Sequence, residues 1–119
     1  MTYVDGFVLP VVKRKLAAYR RMAKKAGKIW REHGALEFHE CVADDVKVGK
    51  RTSFPRSVKL KRGETVVLSW IVYRSRAERD RVMAKVMKDK RIADMMSGKD
   101  IPFDGKRMIV GGFKTMVSA

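Results

Sequence analysis

Glu37, His39 and Cys41 stand at two-residue spacing in Leu36-Glu-Phe-His-Glu-Cys-Val42. In an extended chain they share one face. Carboxylate, imidazole and thiolate are ligand types for zinc or iron. Neighbouring positions on one strand do not converge on an ion unaided, and the one other histidine, His33, is a distant candidate. No metal and no cofactor are assigned, and ordinary strand polarity is the reading. Cys41 as a nucleophile would need a base, and only His39 is identifiable. A second constellation joins Asp5, in Tyr3-Val-Asp-Gly-Phe7, to Trp70, in Thr65-Val-Val-Leu-Ser-Trp-Ile-Val-Tyr73. A carboxylate beside an indole on neighbouring strands could line a small-ligand cavity. Alternatively, Asp5 pairs with Lys106 or Arg107 as a structural lock. Phe54-Pro55 and Pro102-Phe103-Asp104-Gly105 place aromatic anchors in loops that either rim a cavity or plug its ends. The candidate cavity set is Asp5, His39, Cys41, Phe54, Trp70, Phe103 and Arg107, with Asp5 or His39 handling protons if there is chemistry. This set names no reaction, so whether the chain is an enzyme stays open. Arg79 is either a paired structural arginine or an anion clamp. Phosphate-loop, dinucleotide and Ser-His-Asp patterns are absent.

Charge supplies the competing chemistry. Lys and Arg number 28 against 13 Asp and Glu, a net +15, and the pI is about 10.4. Such an excess favours polyanions. Leu16, Tyr19, Ala23, Ala26 and Trp30 recur at helical spacing and fall within an arc of roughly 80°. Around them stand Lys13, Arg14, Arg20, Arg21, Lys24, Lys25, Lys28 and Arg31, with no acid before Glu32. Like-charge pairs such as Arg20/Lys24 and Lys24/Lys28 each cost about 0.2–0.5 kcal/mol. Arg81, Lys85 and Lys88 project from a second helix whose outer face is expected to adjoin the first. The polyanion candidates are therefore Arg20, Arg21, Lys24, Lys25, Lys28, Arg31, Arg81, Lys85 and Lys88. The bland alternative is a solvated face. The strand Thr65 to Tyr73 lacks the Lys/Arg-Gly-Phe stacking motif of RNA-reading sheets. Any RNA contact would thus run through the helices and be salt-sensitive.

The elements that position these groups follow from period and punctuation. Tyr3 to Leu9 alternates as a strand that Pro10 ends. A helix then runs to a glycine cap at His33-Gly34. Leu36 to Val42 is a second strand, and Asp44 to Gly63 is a long polar loop. Thr65 to Tyr73 is the clearest strand. Ser75-Arg-Ala-Glu78 is a capping box opening a helix with Val82, Met83, Val86 and Met87 buried. Arg91 to Gly98 holds a short helix or turn. Lys106 to Val117 is the last strand, with Gly111-Gly112 as a bulge or close-approach point. The eight methionines mostly fall at core-like positions, as gap fillers.

This order, βαββαβ, is the ferredoxin-like split arrangement, an α+β fold with both helices on one face of the sheet. The first and third strands are expected to lie centrally and parallel. Val66, Leu68, Trp70 and Val72 fill one face of the third strand, while Val67 and Ile71 fill most of the other. A strand apolar on both sides is covered on both sides. The helices cover one, and a second copy of the sheet is the simplest cover for the other, so a homodimer is expected. The 119 residues fit one domain, and no repeat, low-complexity segment or linker is visible. No stretch is long enough to span a bilayer as a helix, and no terminal segment reads as a targeting signal. The single Cys41 excludes an internal disulfide and suits a reducing compartment. A cytoplasmic protein is expected, with no membrane partner.

Several separated stretches, in one order from Tyr3 to Val117, carry a family resemblance. They are Tyr3-Val-Asp-Gly-Phe7, Glu40-Cys41, Asp44-Asp45-Val46, Gly49-Lys50, Thr52-Ser-Phe-Pro55, Glu64 to Ile71, Arg79-Asp80 and Pro102 to Phe113. With these the chain resembles the YbaA-like family of uncharacterised proteins, which looks like a branch of the dimeric α/β-barrel superfamily. The resemblance implies two ferredoxin-like sheets packed face to face around a cavity that binds a small ligand. It implies no particular chemistry.

Overall fold

Two ten-residue strands, β1 (Tyr3–Val12) and β3 (Glu64–Tyr73), form the centre of the sheet. The edges are the six-residue β2 (Glu37–Val42) and β4 (Ile109–Lys114). The computed structural model describes residues 1–98 and 100–119. Strand order is β2-β3-β1-β4, and every pairing is antiparallel. The expected parallel pairing of β1 and β3 is therefore corrected. The helix after β1 carries the chain back to start β2 in the direction of β1, and β3 folds back antiparallel between them.

Helix α1 (Leu16–Glu32) is the longest, and its C-cap at His33 is followed by Gly34 at φ 121°. A side chain there would be strained, so the glycine ends the helix as its position suggests. Helix α2 (Phe54–Ser57) is a single turn inside the long loop, capped by Ser53. Helix α3 (Arg76–Met87) begins where the Ser75 hydroxyl accepts from the Glu78 amide at 3.1 Å. Val82 and Val86 are its buried residues, whereas Met87, expected in the core, is 61% exposed. Helix α4 (Lys90–Met96) is capped by Asp89, which also lies 2.7 Å from His33 Nε2 and so ties α4 to the end of α1. Arg91 first, then His33, holds the Asp89 carboxyl well below the usual range.

Pro10 does not end β1, which continues to Val12. The Lys13 amide bonds the Gly63 carbonyl at 2.9 Å. Odd-numbered residues of β1 therefore face β3, and even-numbered ones, Pro10 included, face β4. Pairing with β4 stops at Val8↔Ile109, so the missing N–H of Pro10 removes no bond from the β1–β3 ladder. Gly111 and Gly112 form no bulge either. They stay in register opposite Gly6 and Asp5. The last strand is correspondingly shorter than expected, because Gly105–Arg107 forms a 3₁₀ turn ahead of it.

The helices bury one sheet face. Leu9, Val11 and Val67 pack with Tyr19 and Ala23 of α1, and Ile71 and Tyr73 pack with Ile29, Val82, Val86 and Ile92. The opposite face carries Val4, Val8, Leu68, Trp70, Val72, Ile109 and Phe113 by strand parity. The segment around α2 covers only its Val66 end: Val66 and Val58 are buried, while Leu68 is 39% and Phe113 66% exposed. The molecule is a slab of 38 × 37 × 20 Å with one broad face largely uncovered.

Candidate functional site

Helix α1 overhangs the free edge of β2 and leaves an open groove of about 850 Å³ between them. Its floor is apolar, built from Leu16, Ala23, Gly27, Phe38 and Val67. Gly27 lets helix and strand approach closely, since a Cβ there would lie 2.7 Å from the Phe38 ring. One wall is cationic. Arg20, Lys24, Lys28 and Arg31 line the groove, all four are exposed, and none forms a salt bridge among the described residues. Their places on the helix explain this. They flank the buried stripe on the side toward β2, whereas Arg21 and Lys25 lie further round on the outer surface.

Glu40 sits against this floor. The Tyr19 hydroxyl donates to its carboxylate at 2.9 Å. Burial raises the Glu40 carboxyl above the usual range, partly offset by that hydrogen bond. Burial likewise raises the Tyr19 hydroxyl, with the Glu40 charge adding to it. Sequence reasoning passed over Glu40 and Tyr19. The signal was present: Phe38 and Val42 mark the inward face of β2, and Glu40 stands between them as an acid on that face.

The cavity candidates divide between the two sheet faces. His39 pairs with Glu37 at 2.9 Å and stacks on Trp70 with ring centroids 4.9 Å apart. Cys41 shares that open face and is exposed, and Phe54 stands at its end beside Val66 and Leu68. Asp5 does not join them. Trp70 pairs with Gly6, so Asp5 points to the helix side, and the expected Asp5–Trp70 constellation is corrected. Phe103 lies on the helix side as well, edge-on to Tyr19 at 5.9 Å.

Nor does Asp5 bind Lys106 or Arg107. It is 4% exposed and its partner is Arg79, at 3.6 Å. Arg107 instead grips Glu64 with both terminal nitrogens, at 2.8 and 2.6 Å, and Asp104 with Nε at 2.9 Å. Of the outer cations, Arg81 is paired with Glu78 at 3.1 Å, while Lys85 and Lys88 stand exposed on and just beyond α3.

Arg79 also donates to the Tyr3 hydroxyl at 3.1 Å and lies over its ring at 5.0 Å. Gly112 makes this contact fit, because a Cβ there would collide with the Tyr3 hydroxyl and come within 2.8 Å of the guanidinium. Gly112→Ala is therefore expected to cost about 1–3 kcal/mol through overpacking. Gly111→Ala, whose Cβ would meet the exposed ring of Phe113 at 3.4 Å, should cost less than about 1 kcal/mol. Urea midpoints of the two variants check the contrast, and equal midpoints would remove the close-approach role of Gly112.

Comparison with known proteins bears on the whole chain. It is 49% identical over 117 residues to the uncharacterized protein YbaA of Escherichia coli (strain K12), covering 98% of each chain. The protein of the same description from Shigella flexneri matches with the same identity and coverage. Among solved structures, the de novo designed protein Foldit4 aligns over 97% of this chain and 99% of its own, with 16% identity and a TM-score of 0.49. The family described as Protein of unknown function (DUF1428) matches residues 2–105. Together with 49% identity along almost the full length, this match means that the chain belongs to the DUF1428 family.

Proposed function

We propose that the chain is a binding protein that takes an anionic ligand into the groove between α1 and β2. The observation that carries this reading is the groove itself, an apolar floor of ligand-sized volume beneath four cations that form no salt bridge among the described residues. An apolar body settles on Phe38 and Val67, and a carboxylate or phosphate meets Lys24 and Lys28. The element order supports a ferredoxin-like βαββαβ unit, with α2 and α4 as additions. Two such units close their open faces against each other into a dimeric barrel, which leaves both grooves outward and accessible. A reducing, cytoplasmic setting suits the exposed lone thiol of Cys41.

Phenyl phosphate, which combines an aromatic body with an anion, tests the groove by amide-shift mapping of labelled protein. Saturable shifts are expected at Gly27, Phe38 and Glu40. Lys24→Glu/Lys28→Glu should weaken binding at least tenfold while leaving the fold intact, because both side chains are exposed. Shifts confined to Trp70 and Leu68, or an affinity indifferent to charge reversal, would overturn the groove reading. The competing reading, a polyanion surface on the outer faces of α1 and α3, is tested by anisotropy of labelled RNA across a salt series. Binding that survives the groove double variant but fails in Arg21→Glu/Lys25→Glu/Lys85→Glu would favour it.

A further inference from the structure

We infer that the ligand of this groove is an extended acidic peptide segment, which adds to the sheet as a fifth strand alongside β2. This rests on the groove reading above and names its ligand class. The first observation is the orientation of the β2 main chain. The Ala43 amide bonds the Val66 carbonyl at 2.9 Å, in the register that pairs Val42 with Val67. Odd-numbered residues of β2 therefore turn their amides toward β3. Phe38, Glu40 and Val42 turn theirs outward, along the mouth of the groove. No strand pairs with that edge among the described residues. A free edge of this kind is a template for an incoming strand, whose main chain supplies affinity and whose alternate side chains supply specificity.

The second observation is spacing. Arg20, Lys24 and Lys28 form an i, i+4, i+8 row on the wall of the groove. Successive members of such a row rise about 6 Å along the helix. Alternate residues of an extended strand advance about 6.6 Å. A strand laid along β2 thus presents every second side chain to the helix side, at nearly the pitch of the cations above it. Acidic residues at those alternate positions would meet the row one for one. The acids of β2 do not compete: Glu40 is engaged by Tyr19 and Glu37 by His39. Charge also argues against a second copy of this chain at the same edge, since two such rows would face each other as like charges.

Val42 gives a variant that separates this idea from mere anion binding. Its amide points away from β3, so Val42→Pro removes an outward donor and leaves the β2–β3 ladder whole. The probe is a fluorescein-labelled, acetylated octapeptide alternating Glu and Thr, titrated by anisotropy at moderate salt. Its counterpart carries N-methyl groups on the amides that would face β2. We expect the plain peptide to bind and to protect the amides of Phe38, Glu40 and Val42 from exchange. N-methylation and Val42→Pro should each weaken it at least tenfold, and Lys24→Glu/Lys28→Glu should abolish it. Equal binding of plain and N-methylated peptides would overturn strand addition while leaving an anion-binding groove in place. If phenyl phosphate and both peptides all fail to bind, the groove reading falls with it. Should Val42→Pro unfold the protein, the N-methylated peptide on the native chain still decides.

Discussion

Arg79→Met is expected to destabilise the protein by about 2–3 kcal/mol at pH 8, and by visibly less at pH 4.5. The substitution keeps most of the side-chain volume and removes the cation paired with Asp5 among the described residues, Asp5 itself being 4% exposed. An uncompensated buried charge is among the costliest defects a single change can introduce. Burial already raises the Asp5 carboxyl above its ordinary value, and Arg79 pulls it partly back. Without Arg79 it rises further, so the folded state holds the Asp5 proton at pH values where the unfolded chain has released it. Stability then falls as pH increases, starting from the unfolded carboxylate value near ~3.9 and levelling once the folded Asp5 has ionised. Urea midpoints of wild type and variant at the two pH values provide the check. Acids that do not touch Arg79 cancel in the difference between the two proteins. An Asp80→Asn background removes the second carboxylate on Arg79, 3.2 Å from its Nε, and a gap of equal size at both pH values would sink the argument. Arg79→Lys, which keeps the charge, should recover part of the loss, and Asp5→Asn in the Met background should remove its pH dependence.

The Asp5–Arg79 pair also marks where sequence reading runs out. Strand parity told which residues share a face, so it correctly divided Val66, Leu68, Trp70 and Val72 from Val67 and Ile71. It could not say which helix residue arrives above Asp5, because that depends on how α3 lies across the sheet. The caps were legible because they are local: Ser75 with Glu78, and Gly34 after α1, act within one turn of chain. Pro10 misled for the converse reason. Proline is read as a strand breaker unless the neighbour on its N–H side is known. Here β4 has already ended on that side, where the chain passes in an isolated bridge, Val11↔Phe103. Val11 and Val12 were lost from the expected strand with it. The cationic helix was visible in full, but its division into a groove wall (Arg20, Lys24, Lys28, Arg31) and an outer surface (Arg21, Lys25) required the position of β2. Glu40 is the instructive omission. An acid on the inward face of an amphipathic strand needs a partner, and Tyr19 on the buried stripe of the helix was an available hydroxyl.

The open sheet face yields the second large effect. Wild-type protein should sediment with twice the 13.6 kDa mass of one chain, and Leu68→Asp/Phe113→Asp should sediment as a monomer with unchanged circular dichroism. Both residues belong to the uncovered face, and both are substantially exposed in the single chain. Aspartate there costs the monomer little, since surface changes away from special features usually stay within about 0.5 kcal/mol. In a face-to-face dimer the same carboxylates would be driven into an apolar interface without partners, at several kcal/mol each. The expected shift in dimerisation constant is therefore at least a thousandfold. Area does not stand in the way: a 38 × 37 Å face can supply the ~800 Å² per partner of an ordinary specific interface. Trp70→Ala should act in the same direction more gently, by deleting the ring that stacks on His39 without adding a charge. A monomeric wild type at micromolar concentration would overturn the barrel, and the apolar side of β3 would then need another cover. The groove between α1 and β2 lies at the opposite layer of the slab, so ligand binding there should survive in the monomeric variant. If it vanished together with the dimer, the two faces would be coupled through β2 and β3, whose alternate residues reach both.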